Sequence, residues 1–123
     1  MHKVFDPASL PLDSITFDDF LRIDTRAGTV LEASLLEGAR NPSLKLVIDF
    51  GEGVGVKKSA AQITELQDAS LLVGTQDLAV VNFPPRQIGK FMSQVLVLGV
   101  PDSAGNISVL RPSHRVPNGA RMS

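Results

Sequence analysis

The stretch Leu44-Lys45-Leu46-Val47-Ile48-Asp49-Phe50 is apolar at every second position and is closed by Gly51-Glu52-Gly53-Val54-Gly55. Successive strand side chains point to opposite faces, so this period commits Leu44, Leu46, Ile48 and Phe50 to one buried face. Similar short runs recur between turn signals. Residues 27–34 read as a first strand, in which Gly28 predicts a bulge or a close backbone approach. Gly38-Ala39-Arg40-Asn41-Pro42 is turn chemistry before the second strand. Residues 56–63, 76–83, 91–100 and 107–112 supply a third to a sixth strand. Pro84-Pro85 stops the fourth, because neither residue can donate to a ladder. Five or six short strands at regular spacing predict an antiparallel barrel.

Helical signals are brief. Thr16 is placed to cap a first turn in which Asp18 and Asp19 meet the positive end of the helix dipole, and Phe17, Phe20 and Leu21 share one face. Residues 64–72 read as a helical turn closed by Val73-Gly74, and Val116-Pro117-Asn118-Gly119 is a turn near the end of the chain. Pro7 and Pro11 mark an extended arm with apolar Val4, Phe5, Leu10 and Leu12. The expected division is an arm over residues 1–15 and one domain over 16–123.

A chain of 123 residues suits one domain and buries roughly two-thirds of its unfolded surface. It has no cysteine, which excludes disulfides, thiolate metal sites and thiol nucleophiles. No signal-peptide pattern or membrane-length apolar run is present, so the expectation is a soluble, cytoplasmic protein without membrane insertion. The net charge is −1, yet residues 1–55 hold nine acids against five bases and residues 56–123 hold seven bases against four acids. That asymmetry allows a basic face on a near-neutral chain.

Catalytic patterns fail. Gly51 to Gly55 lacks the Gly-Lys-Ser/Thr unit and βαβ context of a phosphate loop and reads as a hairpin turn. His2 and His114 are isolated and cannot supply three or four zinc ligands. Asp18-Asp19 is explained by the helix start. The expectation is a binding protein rather than an enzyme, with no cofactor and no metal.

The segment Asn82-Phe83-Pro84-Pro85-Arg86-Gln87-Ile88-Gly89-Lys90-Phe91-Met92-Ser93-Gln94 differs in kind. It joins a stiff proline turn, Arg86 and Lys90 to apolar Phe83, Ile88, Phe91 and Met92. Basic groups can meet phosphate and Phe can stack on bases. The same apolar patch can instead hold an unfolded peptide or a second subunit. Phe83, Ile88 and Phe91 can also be core residues beneath the turn.

Several motifs in order resemble the tRNA-binding domain family. They are Asp24-Thr25-Arg26-Ala27-Gly28-Thr29-Val30, Leu44-Lys45-Leu46 through Gly51, Asn82 to Arg86, Ser93-Gln94-Val95-Leu96-Val97-Leu98, and Val116-Pro117-Asn118-Gly119. Val56-Lys57-Lys58-Ser59-Ala60-Ala61-Gln62-Ile63-Thr64 and Val80-Val81-Asn82-Phe83-Pro84-Pro85-Arg86 are similar to its free-standing branch, the CsaA-type export-related chaperones. The resemblance implies an all-β, five-stranded OB-fold barrel with short helices and N- and C-terminal extensions. It also implies a homodimer that takes unfolded or precursor polypeptides, or alternatively tRNA, with the N-terminal helix and C-terminal extensions near the subunit junction. Dimerisation would give the apolar arm a place to bury itself. Arg86, Lys90, Met92 and Ser93 match the positions of ligand contact, with Lys58, Asn82, Phe83, Pro85 and Phe91 beside them. Arg26 is expected to be structural, paired with a nearby acid. tRNA-binding relatives carry a lysine-rich turn where this chain has Pro84-Pro85-Arg86-Gln87-Ile88-Gly89-Lys90, and fewer charges lower the expected RNA affinity.

Overall fold

A computed structural model of the chain describes residues 3–37, 43–63 and 68–123. The elements run α1 (Phe17–Leu21), β1 (Thr25–Leu35), β2 (Leu44–Asp49), β3 (Val56–Ala61), α2 (Ala69–Leu72), β4 (Gln76–Val80), β5 (Arg86–Ile88), β6 (Phe91–Ser93), β7 (Leu96–Val97), β8 (Gly99–Pro101) and β9 (Ile107–Val109). Five strands form one antiparallel sheet in the order β3-β2-β1-β4-β7, while β5–β6 and β8–β9 are separate hairpins. The predicted turn at 38–42 and residues 64–67 of the predicted helical turn lie outside the described residues.

The alternation in β2 has its predicted result: Leu44, Leu46, Ile48 and Phe50 are all buried. They pack with Val30, Ile63, Leu72, Ala79, Val95 and Val97 in one core. β1 serves two partners. Residues 25–29 pair with β4 and residues 29–35 with β2, and the register slips between Val30 and Glu32. The bulge bends the strand at Leu31, which lets one sheet curl into a barrel. Gly28 is a point of close approach rather than the bulge. A Cβ there would lie 2.6 Å from both Ile48 Cγ2 and Phe50 Cδ1.

β3 is closed onto the chain just before β7. Gln94 donates its backbone N–H to Lys58 O at 2.8 Å, and its side-chain Oε1 accepts from Lys58 N at 2.9 Å. Ser59 Oγ donates to Val95 O at 3.1 Å. The result is a nearly closed five-strand barrel.

Several strand boundaries differ from expectation. The run 91–100 is not one strand but β6, β7 and β8, because its successive pieces pair with β5, with β4 and with β9. Gly99 sits at the last switch, where a Cβ would collide with Ile107. β3 ends at Ala61 and β4 at Val80. Residues 86–88, read as part of a proline turn, form a strand of their own.

Thr16 and Asp19 form the predicted N-terminal cap of α1, each side chain accepting from the other's backbone N–H. α1 nevertheless buries none of its residues. The C-terminal turn has a structural task. Gly119 donates to Ala27 O at 2.8 Å, Met122 donates to Thr25 O at 2.8 Å, and Asn118 Oδ1 accepts from Thr29 and Gln76. Arg26 is structural as expected, with Nε 2.6 Å and Nη2 3.1 Å from the two oxygens of Asp24. Asp77 on β4 is fully buried; Oδ1 accepts from Arg111 Nε at 2.9 Å, and no partner is found for Oδ2. Burial pushes this carboxyl above its ordinary range, against the opposing pull of Arg111.

Two outcomes follow. Gly28→Ala should lower unfolding free energy by about 1–3 kcal/mol, since two core side chains must move; urea titration measures it. Asp77 binds its proton more tightly when folded, so its contribution to stability is present in acid and lost as pH rises through its native value. The stability of wild type relative to Asp77→Asn should therefore fall as pH rises from below the usual carboxylate range to neutrality. A difference that is flat or rises in urea titrations across that range would contradict this.

Candidate ligand-binding face

The β5–β6 hairpin stands on the outside of the barrel against β3. Ile88-Gly89-Lys90-Phe91 makes its two-residue turn, with Gly89 at φ 60° in the first central position. That is the geometry that matches strand twist and favours glycine. Cross-strand partners are Arg86 with Ser93, Gln87 with Met92, and Ile88 with Phe91. The alternation therefore separates the hairpin into two sides. Arg86, Ile88, Phe91 and Ser93 share the side towards the barrel, while Gln87 and Met92 share the outer one.

Below the hairpin lies a narrow apolar crevice of about 40 Å³, bounded by Phe83, Pro84, Ile88, Val95 and Leu96, with Ala60 as its floor and Arg86 at its margin. Phe83 and Met92 remain about half exposed. Phe91 is half-buried, and Lys45 Nζ stands 5.7 Å from its ring centroid, within the range of a cation–π contact. Lys45 also lines a second, open groove of about 450 Å³ with Leu31, Glu32, Ala33, Ser34, Val47 and Val73. Lys45 thus joins the groove, which it lines, to Phe91 of the hairpin.

The predicted site residues divide into two groups. Lys58, Phe83, Pro85, Arg86, Lys90 and Met92 are exposed, and Phe91 lies at the junction just described. Asn82 and Ser93 are engaged in holding the structure. Asn82 Nδ2 donates to Arg22 O at 2.8 Å and its Oδ1 accepts from Asp24 N at 3.0 Å, which ties the exit of α1 to the end of β4. Ser93 is buried; its Oγ accepts from Ala60 N at 3.1 Å and donates to Val95 O at 3.2 Å.

Basic groups gather in part. Lys45 on β2, Lys58 on β3, and Arg86 and Lys90 on the hairpin lie on adjacent elements. Arg111 points elsewhere, to Asp77 on β4. Lys45 and Val47 were missed by sequence reading, although their parity was available. They are the positions of β2 opposite in phase to the buried Leu44, Leu46 and Ile48. Among the described residues no three His, Asp or Glu side chains stand together as metal ligands.

Residues 25–121 match the family model described as a putative tRNA binding domain. The chain belongs to the tRNA-binding domain family. It is 32% identical over 110 residues to a methionine–tRNA ligase of Porphyromonas gingivalis and 37% identical over 108 residues to one of Francisella tularensis. Those matches take 89% and 87% of this chain but only 16% and 15% of the ligases, so the chain spans about a sixth of their length. Two crystal structures of chaperone CsaA match closely. That of Bacillus anthracis has a TM-score of 0.84 at 46% identity, covering 90% of this chain and 100% of its own. That of Picrophilus torridus has 0.83 at 42%, covering 89% and 100%. A protein of Pyrococcus horikoshii described as related to methionyl-tRNA synthetase has a TM-score of 0.80 at 22% identity and shares the fold.

If Ser93 holds the barrel rather than the ligand, Ser93→Ala should cost about 1–3 kcal/mol of stability, the range for orphaning a buried donor such as Ala60 N–H. The folded variant's affinity for tRNA or unfolded polypeptide should stay within twofold of wild type. A larger loss of affinity at wild-type stability would return Ser93 to the ligand.

Proposed function

We propose that this chain is a non-catalytic binding protein that works as a homodimer and holds unfolded or export-bound polypeptide segments, as a chaperone of the CsaA type, in the cytoplasm. The observation that carries this reading is the apolar character of the hairpin face. Phe83 and Met92 are presented to solvent, Phe83 beside a crevice that is itself largely apolar, and Lys45 lines a separate open groove of mixed polar and apolar character. Extended polypeptide offers alternating apolar side chains and backbone polar groups, which suits clefts of that shape better than a flat surface. Met92 is unbranched and adapts to different side chains. The likeness to chaperones over their whole length supports the same reading.

A second reading, tRNA binding, is favoured by Lys45, Lys58, Arg86 and Lys90 on neighbouring elements and by the family model. Phosphate contacts dominate nucleic-acid affinity, and a chain with net charge −1 adds no wider field to these four groups. Duplication of the face in a dimer would partly offset that.

The two readings separate in one titration series. Bulk tRNA and a permanently unfolded, reduced polypeptide are titrated at low and physiological salt against wild type, Phe83→Ala/Met92→Ala and Arg86→Ala/Lys90→Ala. The chaperone reading expects polypeptide binding that depends weakly on salt and falls about tenfold or more in the apolar double variant. Salt-steep tRNA binding lost in the basic double variant, with no polypeptide binding, would replace it by the second reading.

A further inference from the structure

The N-terminal arm is the least covered apolar part of the molecule. Val4, Phe5, Leu10 and Leu12 are 62, 72, 88 and 95% exposed, and the arm leads into α1, where Phe17 is 67% exposed. Its polar contacts are local: Ala8 N and Ser9 N donate to Asp6 within one turn. About a tenth of this chain has no counterpart in the two chaperone neighbours, although each of them is matched along its full length. Twenty-four residues precede the family domain and two follow it.

The exposed area of the chain is large for its mass. The chain exposes 8206 Å². A compact monomer of 13.1 kDa exposes about 6,400 Å² by the usual scaling with mass. The difference, about 1,800 Å², lies within the roughly 1,000–2,500 Å² that each subunit of an obligate homodimer buries. A hollow of about 370 Å³ lies at the C-terminal end of α1, formed by Asp19, Arg22, Ile23, Asn82 and Phe83. In a two-fold assembly that brings the two α1 helices together, an arm leaving one helix runs past the other, and the contact is made twice.

We infer that the arm is an exchanged strap: residues 4–12 of one copy lie along α1 and Phe83 of a second copy, so that each binding face is bordered by its partner's arm. This rests on the homodimer reading above and adds to it the segment exchanged and the edge of the site it completes. Residues 4–12 extended span up to about 30 Å, enough to cross α1 and reach Phe83.

The absence of native cysteine makes the test clean. Protein carrying Leu10→Cys is mixed with protein carrying Ile23→Cys, allowed to exchange subunits, and treated with a short bismaleimide; Phe5→Cys and Leu12→Cys are run in the same way. The expected product is a cross-linked pair of unlike chains, resolved by mass. Absence of that product from all three mixtures, or linkage only within one chain of a Leu10→Cys/Ile23→Cys protein, overturns the strap. Deleting residues 2–12 should weaken the dimer at least about a hundredfold in sedimentation, since two arms are lost together. A shortened chain that dimerises as tightly as the full one overturns the strap and leaves the dimer reading standing. A full-length chain that sediments as a monomer at about 100 μM sinks the dimer reading and the strap with it.

Discussion

The closure of β3 against residues 93–95 is the contact on which both the core and the binding face depend. An open β3 edge would present the N–H and C=O of Lys58 and the N–H of Ala60 to water or to another chain. Instead Gln94 takes both groups of Lys58, and Ser93 takes the N–H of Ala60. The closure is made partly by side chains, which frees the backbone at 93–95 to change direction. That change of direction allows β6 to leave the barrel and pair with β5, while β7 a few residues later stays in the sheet. A continuous ladder along β3 would have kept residues 91–97 in one strand and left no hairpin to enclose a crevice.

The parts legible in the sequence were those fixed by local periodicity or local chemistry. β2 could be read to within one residue because its apolar period is two and a glycine turn follows it. The cap of α1 and the Arg26–Asp24 pair were legible because their partners are two or three residues apart. The division of residues 91–100 was not, because the alternation runs on through it and the breaks are set by which strand each piece meets. The structural roles of Asn82 and Ser93 were hidden for a related reason. Arg22 and Asp24, the partners of Asn82, and Ala60, one of the two partners of Ser93, are tens of residues away, so the sequence around Asn82 and Ser93 does not show those hydrogen bonds.

Charge placement on this face is independent of the core. The bases on this face come from strand positions out of phase with the core, Lys45 and Lys58, and from an irregular hairpin, Arg86 and Lys90. None of these four costs the core anything, so their number can change while the barrel persists. The apolar floor is bound more tightly to the fold, since Val95 in the crevice wall also belongs to the core and Ala60 pairs directly with Lys45. A family built this way can add or remove phosphate contacts faster than it can alter its clefts. The fold alone therefore does not decide the ligand.

Asn82 makes the arm and the face mechanically continuous. Its amide holds both the carbonyl of Arg22, the C-cap of α1, and the N–H of Asp24, and the next residue is Phe83. Arg121 adds a second tie, donating to Leu21 O and lying 3.4 Å from Asp24, so the C-terminus is clamped to the same corner. α1 has no buried residue of its own to fix it on the barrel. Its position is set by these polar ties at one end and by whatever covers its apolar side. Any contact that orders α1 from outside therefore also limits the motion of Phe83, and the edge of the binding face becomes as rigid as the subunit contact that holds the helix.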